Sequence, residues 1–140
     1  MNGFLLDTNV ISELVKPAPH HAVVDWVAST DEDLMFLSVL TVGEIRKGIM
    51  GLRAGSRRTR LESWLETGLR ARFSGRILPV DEAVADRWGT AAARAAARGR
   101  PLPVIDGLLA ATAVHHNLTF VTRNVSQVEA AGVLVFDPWG

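Results

Sequence analysis

Three carboxylates and one amide stand where an α/β sheet would bring them together. Asp7 follows the apolar run Phe4-Leu5-Leu6 directly, and Asn124 follows Phe120-Val121 by way of Thr122 and Arg123. Glu44 and Asp106 fall in the first turns of expected helices whose N-termini face the same edge. In open parallel sheets, ligands occupy the crevice beyond the carboxyl ends of the strands, so residues far apart in sequence meet there. This set holds no imidazole and no thiolate. Its hard-oxygen field suits Mg²⁺ or Mn²⁺ and does not suit zinc or copper. Each acid also has a structural reading. Thr41-Val42-Gly43-Glu44 fits a capping box. Asp106 fits the N-cap of the helix after it, and Asp7 can close a turn by accepting from backbone amides. Asp86 is either a further carboxylate near the set or an exposed neighbour of Arg87.

The elements that must position these residues alternate short apolar runs with longer helical ones, the pattern of an α/β domain with a mainly parallel sheet. Expected strands are Phe4-Leu5-Leu6, Leu34–Leu37, Ile77-Leu78, Leu118–Val121 and Val133–Phe136. A short helix over Val10–Val15 is stopped by Pro17 and Pro19, and a second covers His20–Ala28. A third runs from Thr41 to about Leu52, with Val42, Ile45 and Ile49 inward. A longer one covers Ser56–Phe73, with Leu61, Trp64, Leu65 and Leu69 at helical spacing. Asp81 caps a helix carrying Val84, Trp88, Ala91 and Ala92, which ends near Gly99. After the rigid Pro101–Pro103 connector comes the most apolar helix, Leu108–Val114. The result is one domain of about five strands with helices on both faces.

At 140 residues the chain is long enough for one domain with its own core. Hydrophobic residues make up 48% and charged residues 21%, which excludes a disordered tail or coiled coil. With no cysteine, disulfide frameworks and thiolate metal sites are excluded. Fifteen basic residues balance fifteen acidic ones, so any nucleic-acid contact must come from a local patch. Only Lys16 and Lys47 are lysine; the other cations are arginine, which binds phosphate bidentately and stacks on unpaired bases. Arg53, Arg57, Arg58 and Arg60 form one cluster, and Arg94, Arg98 and Arg100 a second. Arg46 and Lys47 lie nearest Glu44. Each cluster reads equally as a solvated helix face. No window has the length of a membrane span and no export signal is visible, so a soluble, cytoplasmic protein is expected. The pairs His20-His21 and His115-His116 lack the i,i+4 spacing of a helical metal site. Trp26, Trp64, Trp88 and Trp139 lie on apolar faces, as core or interface residues.

The text around the four polar residues carries a family resemblance. Leu5-Leu6-Asp7-Thr8-Asn9-Val10-Ile11-Ser12-Glu13-Leu14 resembles the opening motif of PIN-domain ribonucleases of the VapC toxin type. Ser38-Val39-Leu40-Thr41-Val42-Gly43-Glu44-Ile45-Arg46-Lys47-Gly48-Ile49 is similar to the second motif, and Pro103-Val104-Ile105-Asp106-Gly107-Leu108-Leu109-Ala110-Ala111-Thr112-Ala113 to the third. Val121-Thr122-Arg123-Asn124 resembles the fourth. The ending Asp137-Pro138-Trp139 resembles the FitB-like branch.

The resemblance implies one PIN domain over residues 1–140 and an Mg²⁺-dependent endoribonuclease (Mn²⁺ being an alternative), the toxin of a type II toxin–antitoxin pair. Asp7, Glu44 and Asp106 match the family's metal-binding acids. Asp7 and Asp106 are then direct ligands, and Glu44 acts through water or orients the attacking water. Thr8, Asn9 and Thr122 supply hydrogen bonds behind them. Clustered carboxylates repel one another without metal, so a loose site or a raised pKa is expected. The implied partners are an RNA substrate, met by Arg46, Lys47, Arg53, Arg57 and Arg58, and a small VapB-like antitoxin. A homodimer through the apolar helices near Val42–Leu69 is also implied, with heterotetramers or larger assemblies when antitoxin binds. One departure stands out: where many relatives carry a further aspartate, this chain has neutral Asn124 and Gln127. That departure favours an alternative, a PIN-fold module that binds a partner protein or RNA without cleaving it. A receiver-like phosphoacceptor domain using Asp7 is disfavoured, since no lysine follows Lys47.

Overall fold

A computed structural model describes residues 3–140. Its five strands are β1 (Phe4–Leu6), β2 (Met35–Ser38), β3 (Ile77–Leu78), β4 (Thr119–Val121) and β5 (Val135–Phe136). They pair in the order β3-β2-β1-β4-β5, and every pairing is parallel. The helices are α1 (Thr8–Leu14), α2 (His21–Ser29), α3 (Val39–Met50), α4 (Ser56–Ser63), α5 (Arg70–Arg72), α6 (Glu82–Ala97), α7 (Val104–His115) and α8 (Val125–Val128).

Strand side chains alternate between faces, so consecutive apolar residues fill two cores. Leu6, Met35, Leu37 and Val121 pack with Val10, Ile11, Ile45 and Phe73 on one face. Leu5 and Phe120 pack with Leu109, Ala110, Ala113 and Val128 on the other. A sheet covered on both faces needs continuous apolar strands, which is what the short runs supply. On the α7 side, a Cβ added at Gly107 would lie 3.0 Å from the Trp88 ring, so glycine lets α6 and α7 approach closely just behind Asp106.

The expected α/β domain is present, with a wholly parallel sheet, and several local expectations are corrected. α1 begins at Thr8 rather than Val10, because Asp7 caps it by accepting from the Thr8 amide. α3 begins at Val39, because Ser38 accepts from the Leu40 amide. Thr41 is therefore inside the first turn and Glu44 in the second, and the Thr41–Glu44 capping box does not form. Pro103 occupies the N-cap position of α7, which leaves Asp106 as the third helical residue rather than the cap. Leu34 ends a short 3₁₀ turn instead of opening β2. The final strand is only Val135–Phe136, and α8 forms in a stretch to which the sequence assigned no element. The helix over Ser56–Phe73 runs as α4, a π turn over Trp64–Leu69, and α5. Leu65 and Leu69 are buried in the core, so they are not available as the expected dimer surface. Within the expected span Met50 is exposed, and further exposed apolar side chains lie outside it at Val39, Val104 and Ile105. Among the described residues no helix is long and apolar enough to cross a membrane.

Candidate active site

The sheet order places the chain's reversal of direction at β1, which is flanked by β2 on one side and β4 on the other. A crevice opens at such a switch point beyond the strand ends. Asp7 closes β1 there, its amide donating to the Val121 carbonyl at 2.9 Å. Its side chain is 4% exposed and accepts at both oxygens: from the Thr8 amide at 2.7 Å on Oδ1, and from the Thr122 hydroxyl at 2.6 Å on Oδ2. Thr122, fully buried at the end of β4, is the hub of the site. Besides donating to Asp7, its Oγ1 accepts from the Asn124 amide at 3.0 Å and from Asn9 Nδ2 at 3.4 Å.

Glu44 reaches the same place from α3. The Thr8 hydroxyl donates to Glu44 Oε1 at 2.5 Å, with the Thr41 hydroxyl 3.2 Å from Thr8 Oγ1. Thr8 therefore links the Asp7 and Glu44 carboxylates, through its amide and its hydroxyl. Asp106 comes from the first turn of α7, partly buried.

Electrostatics link the three acids. The Asp7 carboxyl is raised to about 6: burial is the main cause and the charges of Asp106 and Glu44 add to it, while the donors Thr122 and Thr8 pull the other way. Asp106 is raised as well, first by burial and then by Glu44. No cation figures among the groups acting on either. The arrangement stores uncompensated negative charge in a half-dry crevice, with oxygen atoms alone as donors. That chemistry fits a hard divalent cation such as Mg²⁺ or Mn²⁺. One further observation agrees: Asn9 Oδ1 is buried without a hydrogen-bond partner, beside Thr122. Yet among the described residues no three acidic or histidine side chains stand close enough to coordinate a single ion.

The other expected residues divide. Arg57 lines a groove with Thr8, Ser12, Glu44, Leu61 and Trp64. Lys47 lines an apolar groove with Glu44, Val39 and Ile105. Arg46 is instead paired with Glu66 at 2.7 Å, and Arg58 with Glu62 at 3.2 Å, so these two guanidinium groups are partly occupied. Arg53 is exposed and lines neither groove. Asn124 sits at the start of α8, and its side chain caps nothing. Asp86 does not join the carboxylates: it lines a cleft along α6 and is absent from the charges acting on Asp7 and Asp106. Sequence reasoning missed the part played by Thr41, which looked like a cap. It also missed Glu13, a buried carboxylate held by Lys16 Nζ at 2.9 Å and by the His20 amide, which fixes the turn between α1 and α2. His20-His21 and His115-His116 lie at helix ends, as expected.

The sequence model of the PIN domain family matches residues 4–133. Toxin FitB of Neisseria gonorrhoeae is 42% identical over 135 residues, covering 96% of this chain and 97% of that protein. VapC ribonuclease Y4jK of Sinorhizobium fredii is 39% identical, over 96% of each chain. Among solved structures, FitAB bound to a DNA fragment superposes with a TM-score of 0.94 at 40% identity, over 98% of this chain and 96% of that one.

Proposed function

The chain belongs to the PIN-domain family, in its VapC/FitB toxin branch, and from that premise we propose that it is an Mg²⁺-dependent endoribonuclease, the toxin of a type II toxin–antitoxin pair. The observation that carries the reading is that the charges of Glu44 and Asp106 act on buried Asp7 at the switch point, where its pKa is raised to about 6. Asp7 and Asp106 would hold the cation, with Glu44 acting through water. Bound there, a divalent cation supplies a water of lowered pKa and neutralises charge building on the phosphate. The protein's own groups do the rest. Thr122 and the Thr8 amide fix the Asp7 carboxylate in one orientation. Glu44, held at Oε1 by Thr8, keeps Oε2 to orient the attacking water and accept its proton. Arg57 and Lys47, on the grooves that contain Glu44, meet the substrate's phosphates.

The partner in this reading is a small VapB-like antitoxin, supported by the FitAB assembly of a relative at 40% identity. The exposed Val39 and Ile105, which line the groove containing Glu44, with Val104 next to Ile105, are the surface through which a homodimer would form. A second reading, a binding module without cleavage, is favoured by neutral Asn124, whose side chain brings no charge to the site.

Cleavage of labelled total RNA separates the two. With Mg²⁺ the full chain should give discrete cuts that vanish with EDTA and in Asp7→Asn and Asp106→Asn. The same pattern from all four samples would exclude the nuclease and leave the binding module.

A further inference from the structure

Helix α6 carries a cationic surface that the proposed reaction does not use. Arg87, Arg94 and Arg98 fall at i, i+7 and i+11, on one face of the helix. They line a cleft whose floor includes Ala91 and Ala111 and whose far wall is the turn over 129–132. None of the three is in an ion pair among the described residues. Two acids also line the cleft: Asp86, next to Arg87 at the end of the cleft away from Arg98, and Glu129 on the far wall, which is engaged by Arg100 at 3.3 Å. Arg87 spends one N–H on His115 Nδ1 at 3.2 Å and keeps the others.

A solvated helix face of this kind normally alternates charge, with acids three or four residues from each arginine. Here those positions hold Ala83, Val84, Thr90, Ala91, Ala95 and Ala97, while Arg94 and Arg98 repel each other at i,i+4. The helix dipole favours cations in the last turn, but it does not reach Arg87 in the first half of α6. The alanine floor lets an extended chain lie close to the helix, beneath guanidinium groups spaced about 6 Å and about 10 Å apart along its axis. The Arg98 end is the one nearest the carboxylate edge: Arg100, two residues on, donates to the Ser126 carbonyl at 3.3 Å, and Ser126 lies just past β4 and Asn124.

The geometry points to this cleft as a track for the phosphodiester backbone of single-stranded RNA flanking the cleavage point, gripped by Arg94 and Arg98. Charge complementarity alone would also suit an acidic peptide. Continuity with the carboxylate edge favours the nucleic acid. The inference rests on the ribonuclease reading and adds to it a second contact surface remote from Glu44.

The test uses the full chain carrying Asp106→Asn, so that RNA is bound without being cut. Fluorescence anisotropy would compare labelled oligoribonucleotides of about 6 and 20 nucleotides in 50–200 mM salt, with Mg²⁺ present. Adding Arg94→Ala and Arg98→Ala should weaken the longer oligonucleotide about tenfold and leave the shorter one unchanged. The slope of log K against log salt should become shallower by about 1.4, two single-strand phosphate contacts' worth. Arg94→Lys with Arg98→Lys should restore most of the slope. Unchanged affinity and slope for the long oligonucleotide would overturn the track. So would a polyglutamate peptide that loses affinity on the same substitutions while RNA does not. Failure of the parent chain to bind either oligonucleotide would overturn the ribonuclease reading itself.

Discussion

Around Asp7 both carboxylate oxygens have a donor, whereas Asp106, reaching the same crevice from α7, is acted on only by burial and by the charge of Glu44. The Asp7 half is locked by the fold. Thr122 gathers Asp7, Asn9 and the Asn124 amide, and Thr8 ties the assembly to Glu44. On the other half, the Asn124 side chain caps nothing and Asp106 stands in the first turn of a helix. The difference separates two jobs. Hydrogen bonds fix the Asp7 carboxylate in advance, whereas no donor figures among the groups acting on Asp106. Among the described residues the acids do not form a closed metal-holding group.

Breaking the open half should have the largest functional effect and the smallest structural one. Asp106→Asn is expected to lower RNA cleavage by at least about 10²–10³-fold. Its thermal midpoint should be no lower than that of the parent, because burial and Glu44 already disfavour the charge. A clear loss of stability would mean that Asp106 is a structural residue.

Breaking the locked half should cost both. Thr122→Val keeps the shape and removes the hub, so Mn²⁺ affinity should fall about 10–100-fold. Stability at pH 7 should drop by about 1–3 kcal/mol in urea unfolding, since a buried carboxylate loses its donor. Unchanged stability would show that the hydrogen bonds around Asp7 do not lock it.

The pH dependence sharpens the same contrast. Asp7 ionises near 3.8 when unfolded and at about 6 in the folded protein. Between those values the folded state holds the extra proton, so this group's contribution is most favourable below about pH 4 and is lost as pH rises through about 6. By pH 7 the loss is on the order of 3 kcal/mol. Asp7→Asn should therefore gain on the parent protein as pH rises from 4 to 7, in urea midpoints taken without divalent metal. A constant difference would contradict the raised pKa. The smallest change is expected from Asn124→Asp, which adds charge to the open half. It should raise Mn²⁺ affinity severalfold and move the Asp7 titration higher still, as read by calorimetry and NMR.

The sheet, and the position of Asp7 at its edge, were legible because their signals are local. A carboxylate directly after an apolar triplet, as at Asp7, can be placed without knowing the rest of the fold. Asp106 and Thr122 follow from the same kind of punctuation. The capping of α3 was not legible, because Ser38 and Thr41 are both competent caps and only the position of β2 chooses between them. Thr8 and Glu44 meet across 36 residues of sequence, a tertiary contact that no spacing encodes. The same holds for Arg46 with Glu66 and for the Arg72 fork on Glu32. Those pairings decide which arginines remain free, so charge clusters read from sequence overcounted the free ones. Asp86 was ambiguous for a related reason: a helix face can be counted from sequence, but not the side of the molecule it meets.

The most direct measurement is Mn²⁺ binding to the metal-free full chain at pH 7.5, followed by electron paramagnetic resonance, for the parent, Asp7→Asn, Asp106→Asn and Asp86→Asn. Binding by the parent and Asp86→Asn, with loss in the other two, is the expected result. Equal binding in all four, or none in the parent, would contradict a metal centre built from Asp7 and Asp106.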